Sequence, residues 1–245
     1  MMILVELISL GKRFKEVQAV DDLSFSVKSG EIFGLLGENG AGKTTTLRML
    51  ATMLKPTSGT ASICGLDIVK QPAEVRKHIG ILFGGEAGLY DRLTARENIA
   101  YFGKLNGMDD NALKKRIDEL SQTLDMEEFI DRRVGKFSKG MKQKVTIARA
   151  IVHDPEVMLL DEPTVGLDVT AARTLQDFIA QCRDQGKAVI FSSHVMSEVE
   201  RLCDRIGIIH KGRLVDIGTI EGLKQQYNNS NLEEVFIQLI GGKSA

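Results

Sequence analysis

Gly37-Glu38-Asn39-Gly40-Ala41-Gly42-Lys43-Thr44 spells a complete G-x-x-x-x-G-K-[ST] loop. A short apolar run, Ile32-Phe33-Gly34-Leu35-Leu36, precedes it, and a helix-favouring stretch, Thr45-Thr46-Leu47-Arg48-Met49-Leu50, follows. Strand, glycine loop and helix in that order give the motif a mechanism. The glycines let consecutive backbone N–H groups turn inward around an anion, and the helix N-terminus adds the positive end of its dipole. Lys43 is then expected to reach the outer phosphates of a nucleotide, and the Thr44 hydroxyl to hold Mg²⁺. A glycine-rich turn with a chance lysine would not need these flanks. The loop reads as a nucleoside-triphosphate site.

Working outward, residues 1–30 alternate in strand fashion, with Val5, Leu7, Val20, Leu23, Phe25 and Val27 as core candidates and Lys28-Ser29-Gly30 as a turn. After the loop and its helix, Pro56-Thr57-Ser58-Gly59 breaks into a second strand pair, Thr60–Ile63 and Asp67-Ile68, across Cys64-Gly65. Residues 95–133 carry helical spacing (Ile99, Phe102, Leu105, then Leu113, Ile117, Leu120, Leu124) and read as a helical insert. From residue 157 strands and helices alternate again: Val157–Leu160, a helix near 170–185, Ala188–Ser192 and a helix near 195–203. Two last strands, Ile206–His210 and Arg213–Ile217, flank Lys211-Gly212. Such alternation predicts an α/β fold with a mostly parallel, doubly wound sheet. No internal repeat and only one phosphate loop occur, which argues against two cassettes in tandem.

Composition narrows the function. With 43% hydrophobic and 27% charged residues, the 245-residue chain has the make-up of a soluble globular protein. A formal net charge of -1 and the lack of a long Lys/Arg block disfavour nucleic acid as the main partner. Cys64, Cys182 and Cys203 are odd in number and show no C-x-x-C spacing, against a disulfide framework or a zinc site. The first residues lack the pattern of a signal peptide, and no apolar run approaches the ~20 residues that span a bilayer. A membrane role would have to come through a partner.

Three further stretches carry chemistry. Val157-Met158-Leu159-Leu160-Asp161-Glu162 is an apolar strand ending in two acids, placed where open α/β sheets bind ligands. Asp161 is the candidate for Mg²⁺, and Glu162, facing the other way, for polarising an attacking water. Phe137-Ser138-Lys139-Gly140-Met141-Lys142-Gln143 opens an apolar-periodic helix, with Ser138 as a natural N-cap. Lys139, Lys142 and Lys144 crowd its first turns, where the dipole disfavours cations, so an anion is expected there. His194 ends a strand on the same sheet edge as Lys43 and Glu162, where an imidazole can sense a terminal phosphate. His78, His153 and His210 read as ordinary surface or core residues, and Asp168 as a turn residue.

These pieces in this order resemble the nucleotide-binding subunit of an ABC transporter, over residues from about 3 to 240. The similarity makes residues 37–44 the Walker A loop, 157–162 the Walker B strand and acids, 137–141 the signature motif, 165–168 the D-loop and His194 the switch histidine. It implies one ABC ATPase domain over 1–245. In it, 1–83 and 155–225 form the P-loop NTPase core with an N-terminal antiparallel β subdomain. A helical insert then covers about 84–154, and 226–245 a helical tail. ATP and Mg²⁺ follow, with Gly37, Glu38, Asn39, Gly40, Ala41, Gly42, Lys43, Thr44 and Thr45 cradling phosphates and Phe14 stacking on adenine. The resemblance also implies a second ATP-binding subunit paired head to tail, a homodimer. Ser138, Gly140 and Asp168 of one subunit then complete the partner's site. It implies, too, a polytopic membrane permease that holds the pair at the cytoplasmic face of the cell membrane. More narrowly, residues 83–94 and Leu232-Glu233-Glu234-Val235-Phe236 resemble NatA-type subunits of bacterial sodium exporters.

Two departures stand out. The signature reads Phe-Ser-Lys-Gly-Met rather than Leu-Ser-Gly-Gly-Gln, keeping Ser138 and the second glycine, Gly140. No glutamine occurs between Gln71 and Gln122, where the family places its Q-loop glutamine. Gly84-Gly85 and Glu86 occupy that neighbourhood. A water rather than Glu86 is expected to fill the glutamine's place, with the glycine pair as a hinge. Of the alternatives, an ABC ATPase acting on nucleic acid or ribosomes predicts a second cassette, a coiled-coil insert or basic tracts. A P-loop kinase or GTPase leaves the signature stretch without a purpose, and the N-K-x-D guanine motif is missing.

Overall fold

The computed structural model describes residues 2–83 and 88–241. In chain order the strands are β1 (Ile3–Phe14), β2 (Val17–Lys28), β3 (Ile32–Leu36), β4 (Ser58–Ile63), β5 (Leu66–Asp67), β6 (Ile79–Phe83), β7 (Val157–Asp161), β8 (Ala188–Ser193), β9 (Arg205–His210) and β10 (Arg213–Thr219). The helices are α1 (Lys43–Leu50), α2 (Pro72–Lys77), α3 (Ala95–Leu105), α4 (Asp110–Thr123), α5 (Lys139–Ile151), α6 (Val169–Asp184), α7 (Met196–Leu202), α8 (Ile220–Gln226) and α9 (Leu232–Gly241).

Two sheets result. The first is antiparallel, in the order β2-β1-β4-β5. The second runs β10-β9-β3-β8-β7-β6 and is parallel except for β10, which returns from β9 in a hairpin. That hairpin turns at Lys211 and Gly212, both with positive φ (48° and 82°). Every residue of β3 and β7 is buried, as a parallel strand covered on both faces requires. Alternate residues of β3 serve different cores. Phe33 and Leu35 join the core beneath the antiparallel sheet, where Phe33 stacks on Phe25 at 4.7 Å. Ile32 and Leu36 join the core shared with the helices of residues 95–151. Thr94 opens those helices with a full capping box to Glu97, so the insert starts at a defined residue.

The alternating sheet and the antiparallel β portion agree with the fold expected from the sequence. Elements β6, α2 and α8 were not read from it. Strand β6 has no turn signal before it, because His78 closes the six-residue helix α2 directly against Ile79. Helix α2 itself is too short for a periodic signal. The glycine pair expected to act as a hinge, and Glu86, not expected to replace the missing glutamine, lie outside the described residues.

Candidate nucleotide site

Strand order makes the site. β3, β8 and β7 are neighbours, with Leu36 opposite Ser193 and Asp161 opposite Ser192. The phosphate loop, both acids and His194 therefore leave the sheet at one edge, at the carboxyl ends of parallel strands.

The loop is built around missing side chains. Gly42 has φ 110°, and a Cβ there would meet Ala19 O at 2.6 Å. A Cβ on Gly37 would strike Ile209 O. Ala41 O accepts from Gly212 N at 2.9 Å, and Gly212 O accepts from Asp21 N at 2.7 Å, which ties the loop to β2 and the β9–β10 turn. Helix α1 then starts with no side-chain cap and no acid in its first turn. By contrast α3, α4, α5, α6 and α8 each have a side-chain N-cap. The free N–H groups and dipole of α1 point to an anion.

Lys43 is 4% exposed. Its ammonium donates to Gly37 O (2.6 Å) and Glu38 O (3.1 Å) and lies 3.6 Å from Glu162 Oε1. Burial lowers its pKa below the ordinary lysine range, while the Glu162 and Asp161 carboxylates pull the other way. Thr44 Oγ1 donates to Asp161 Oδ1 at 3.0 Å, and Ser192 Oγ donates to the same oxygen at 2.6 Å. Glu162 has a left-handed backbone, φ 45°, uncommon for a residue other than glycine. Its N–H donates to both Ser192 Oγ (3.0 Å) and Ser192 O (3.1 Å). His194 Nδ1 lies 3.2 Å from Glu162 Oε1. The structure thus brings Lys43, Thr44, Asp161, Glu162 and His194 together.

Sequence reasoning missed Ser192, the residue that joins the two acids. Its signal was a polar Ser-Ser pair closing the apolar strand Ala188-Val189-Ile190-Phe191. It also missed Glu198, which accepts from Thr164 Oγ1 (3.0 Å) and Ser193 Oγ (3.2 Å) and braces the chain after Glu162 against α7.

The other candidates lie apart. Phe14 ends β1 opposite Val17, 44% exposed, with Lys12 Nζ 5.1 Å above its ring. Ser138 caps α5 through Met141 N at 3.2 Å, and a Cβ on Gly140 would meet nothing within 4 Å. Asp168 caps α6 through Ala171 N at 2.8 Å. Among the described residues, no hydrogen bond or ion pair links Ser138, Gly140 or Asp168 to Lys43 or Glu162. The lysine argument for an anion at α5 needs correction. Lys142 lies 3.4 Å from Asp91, Lys144 lies 3.5 Å from Asp125, and Lys139 donates to Gly166 O at 3.4 Å.

An uncapped helix behind a glycine loop, a buried lysine over that loop and paired acids two strands across the sheet define a P-loop ATPase of the cassette type. The ABC transporter family matches residues 20–165. The chain is 48% identical to the ABC transporter ATP-binding protein NatA of Bacillus subtilis (strain 168), over 98% of this chain and 100% of that one. It is 41% identical to the bacitracin transport ATP-binding protein BcrA of Bacillus licheniformis, over 94% of this chain and 74% of the relative. Among solved structures, the ATP-binding subunit of an ABC transporter superposes with a TM-score of 0.87 at 29% identity, covering 96% of this chain and 99% of that one. The chain belongs to the ABC transporter family as an ATP-binding protein, and it is an ATPase.

Proposed function

We propose that this chain hydrolyses ATP between two copies of itself to drive a separate membrane permease, and that the permease exports sodium. The carrying observation is the convergence of Lys43, Asp161, Glu162 and His194 on one sheet edge, beside an α1 N-terminus left open to an anion. Lys43 and the N–H groups of residues 40–45 bind the triphosphate, and Phe14, an exposed ring at the end of β1, stacks on the base. Glu162 accepts a proton from the water that attacks the terminal phosphorus. His194 holds the carboxylate at Oε1, the same oxygen that faces Lys43. Thr44 and Asp161 offer only oxygen donors, a set suited to a hard cation. Those two residues would hold Mg²⁺, which supplies neutralising charge to the phosphate oxygens.

Among the described residues Ser138, Gly140 and Asp168 make no link to Lys43, which supports a role opposite a second copy. Permease docking is supported by a groove of about 1080 Å³ between the core and the helical segment, lined by Arg48, Ile81, Phe83, Phe102, Leu105 and Arg149. Among the described residues no helix is long and apolar enough to cross a membrane, so attachment to the cytoplasmic face would run through the permease. The sodium cargo rests on the NatA-type resemblance and on 48% identity to NatA over 98% of this chain.

The test is sodium efflux from cells carrying this chain and its permease, against the same pair with Glu162→Gln. Efflux and salt tolerance are expected to fall together in the variant. Equal tolerance with and without the intact pair overturns the sodium reading. Bacitracin resistance that tracks the intact pair would reassign the cargo.

A further inference from the structure

A second cluster of ligating side chains lies at the opposite end of the parallel strands. Cys64 sits in the two-residue turn between β4 and β5. His78 immediately precedes β6, and Glu156 immediately precedes β7. Ile79 pairs with Val157, which sets His78 and Glu156 side by side, with His78 Nδ1 3.0 Å from Glu156 Oε2. One ligand atom from each of Cys64, His78 and Glu156 lies within 4.8 Å of the other two.

The three backbones are fixed independently. Cys64 N donates to Leu4 O at 2.7 Å, Val157 N to His78 O at 3.0 Å, and Ala188 N to Glu156 O at 2.9 Å. Cys64 also adopts φ 52° beside Gly65 at 78°, turn positions that favour Asn-Gly. A cysteine there holds its sulfur toward the sheet edge at a backbone cost. Because the ligands come from three separate segments, no Cys or His spacing in the sequence announces them.

We propose that Cys64, His78 and Glu156 bind a borderline-soft divalent transition-metal ion, with Zn²⁺ the best fit, and that the ion clamps the β4–β5 hairpin to the amino end of the central sheet. Thiolate, imidazole and carboxylate suit zinc, whereas Mg²⁺ avoids sulfur. Bond lengths of about 2.0–2.3 Å place tetrahedral ligands roughly 3.3–3.8 Å apart, so His78 and Glu156, at 3.0 Å, must part slightly and separations near the 4.8 Å limit must shorten by about 1 Å. Partly exposed His78 and Glu156 can move that far by side-chain rotation. Three protein ligands leave the fourth position to water.

Burial and the Glu156 carboxylate raise the metal-free Cys64 thiol to about 11. Binding therefore displaces the thiol proton to solvent as a sulfur lone pair bonds the metal. Glu156 and Asp161 end opposite ends of β7, about 16 Å apart at ~3.3 Å per residue, so the ion takes no part in ATP chemistry.

The test is titration of the full, nucleotide-free chain with Zn²⁺ against a chromophoric chelator, and with Co²⁺ under reducing conditions. The expected result is one tightly held Zn²⁺ per chain, a thiolate-to-cobalt charge-transfer band, and a Tm raised by Zn²⁺. Cys64→Ser should abolish the band and weaken Zn²⁺ at least tenfold, and His78→Ala should weaken it similarly. Cys182 and Cys203 are 2% and 9% exposed, so Cys182→Ala should keep the band. Zn²⁺ binding of unchanged strength in both Cys64→Ser and His78→Ala would place the metal on the nucleotide-site acids and overturn the proposal. Lack of a thiolate band in the unaltered chain overturns it too, whatever the variants do.

Discussion

Lys43 Nζ lies 3.6 Å from Glu162 Oε1, so the cation of the phosphate loop and the acid at the end of β7 neutralise each other. The pair is lopsided in burial, with the lysine side chain 4% and the glutamate 26% exposed. A triphosphate entering the loop brings anionic oxygens that compete with Glu162 for Lys43. With Glu162 as the proposed base, binding would release its carboxylate toward the attacking water.

Lys43→Ala removes the only buried cation over the loop among the described residues. Charge-assisted hydrogen bonds contribute about 1.5–3 kcal/mol each. ATP affinity by calorimetry is expected to fall roughly a hundredfold or more. Because burial already disfavours the ammonium, thermal stability should hold or rise slightly. A variant that unfolds would show that the lysine mainly props the loop.

Glu162→Gln keeps the shape of the side chain and removes the base. Steady-state hydrolysis is expected to drop roughly a hundredfold or more, with ATP still bound. Size-exclusion chromatography with ATP should show a dimer. A monomeric profile would contradict sites shared between two copies.

Phe14→Ala tests the adenine contact. Stacking on a base contributes about 1–3 kcal/mol in nucleic-acid systems, so affinity for ATP should weaken by up to roughly a hundredfold. Affinity for inorganic triphosphate, which lacks a base, should not move. The ring is exposed, so its loss should leave the melting temperature nearly unchanged.

How much was legible follows from range. The phosphate loop, the Asp161-Glu162 strand end and the Cys64-Gly65 turn are local patterns, and local patterns survive in sequence. The placement of His194 beside Glu162 was inferred from a shared sheet edge, and strand order β3-β8-β7 supplies it. Ser192 escaped because a serine at a strand end has no signature until its neighbour across the ladder is known. The lysines of α5 misled for the same reason. Their partners Asp91 and Asp125 lie 51 and 19 residues away, beyond any local reading.

His153 predicts an acid limit to stability. Its Nε2 lies 3.0 Å from Ile79 O, while its buried Nδ1 has no hydrogen-bond partner among the described residues. Burial lowers its pKa, the Ile79 carbonyl opposes this, and Lys187 adds to the lowering. The unfolded chain thus binds a proton below about pH 6.5 that the folded chain refuses. Stability is expected to fall as pH drops from about 6.5 to the lowered folded value, then stop changing on this account. Denaturant midpoints for His153→Gln should lose that component. An identical pH slope in both proteins would refute it.

Ser192→Ala separates positioning from chemistry. The hydroxyl donates to Asp161 and accepts from the N–H of Glu162, and Ser192 is fully buried. Both partners keep a second contact, Asp161 to Thr44 and Glu162 N to Ser192 O. The stability cost should therefore stay near ~1 kcal/mol. Glu162 holds a left-handed backbone conformation that these bonds pin, so its carboxylate loses its aim when one is removed. The expected result is a kcat about tenfold lower, or ~1.4 kcal/mol in barrier, with KM for ATP changed less than about threefold. Ser192→Thr, which restores a hydroxyl, should recover most of the rate. If KM rises with kcat unchanged, Ser192 serves nucleotide binding, and the bridge between the two acids does not set the geometry of the base.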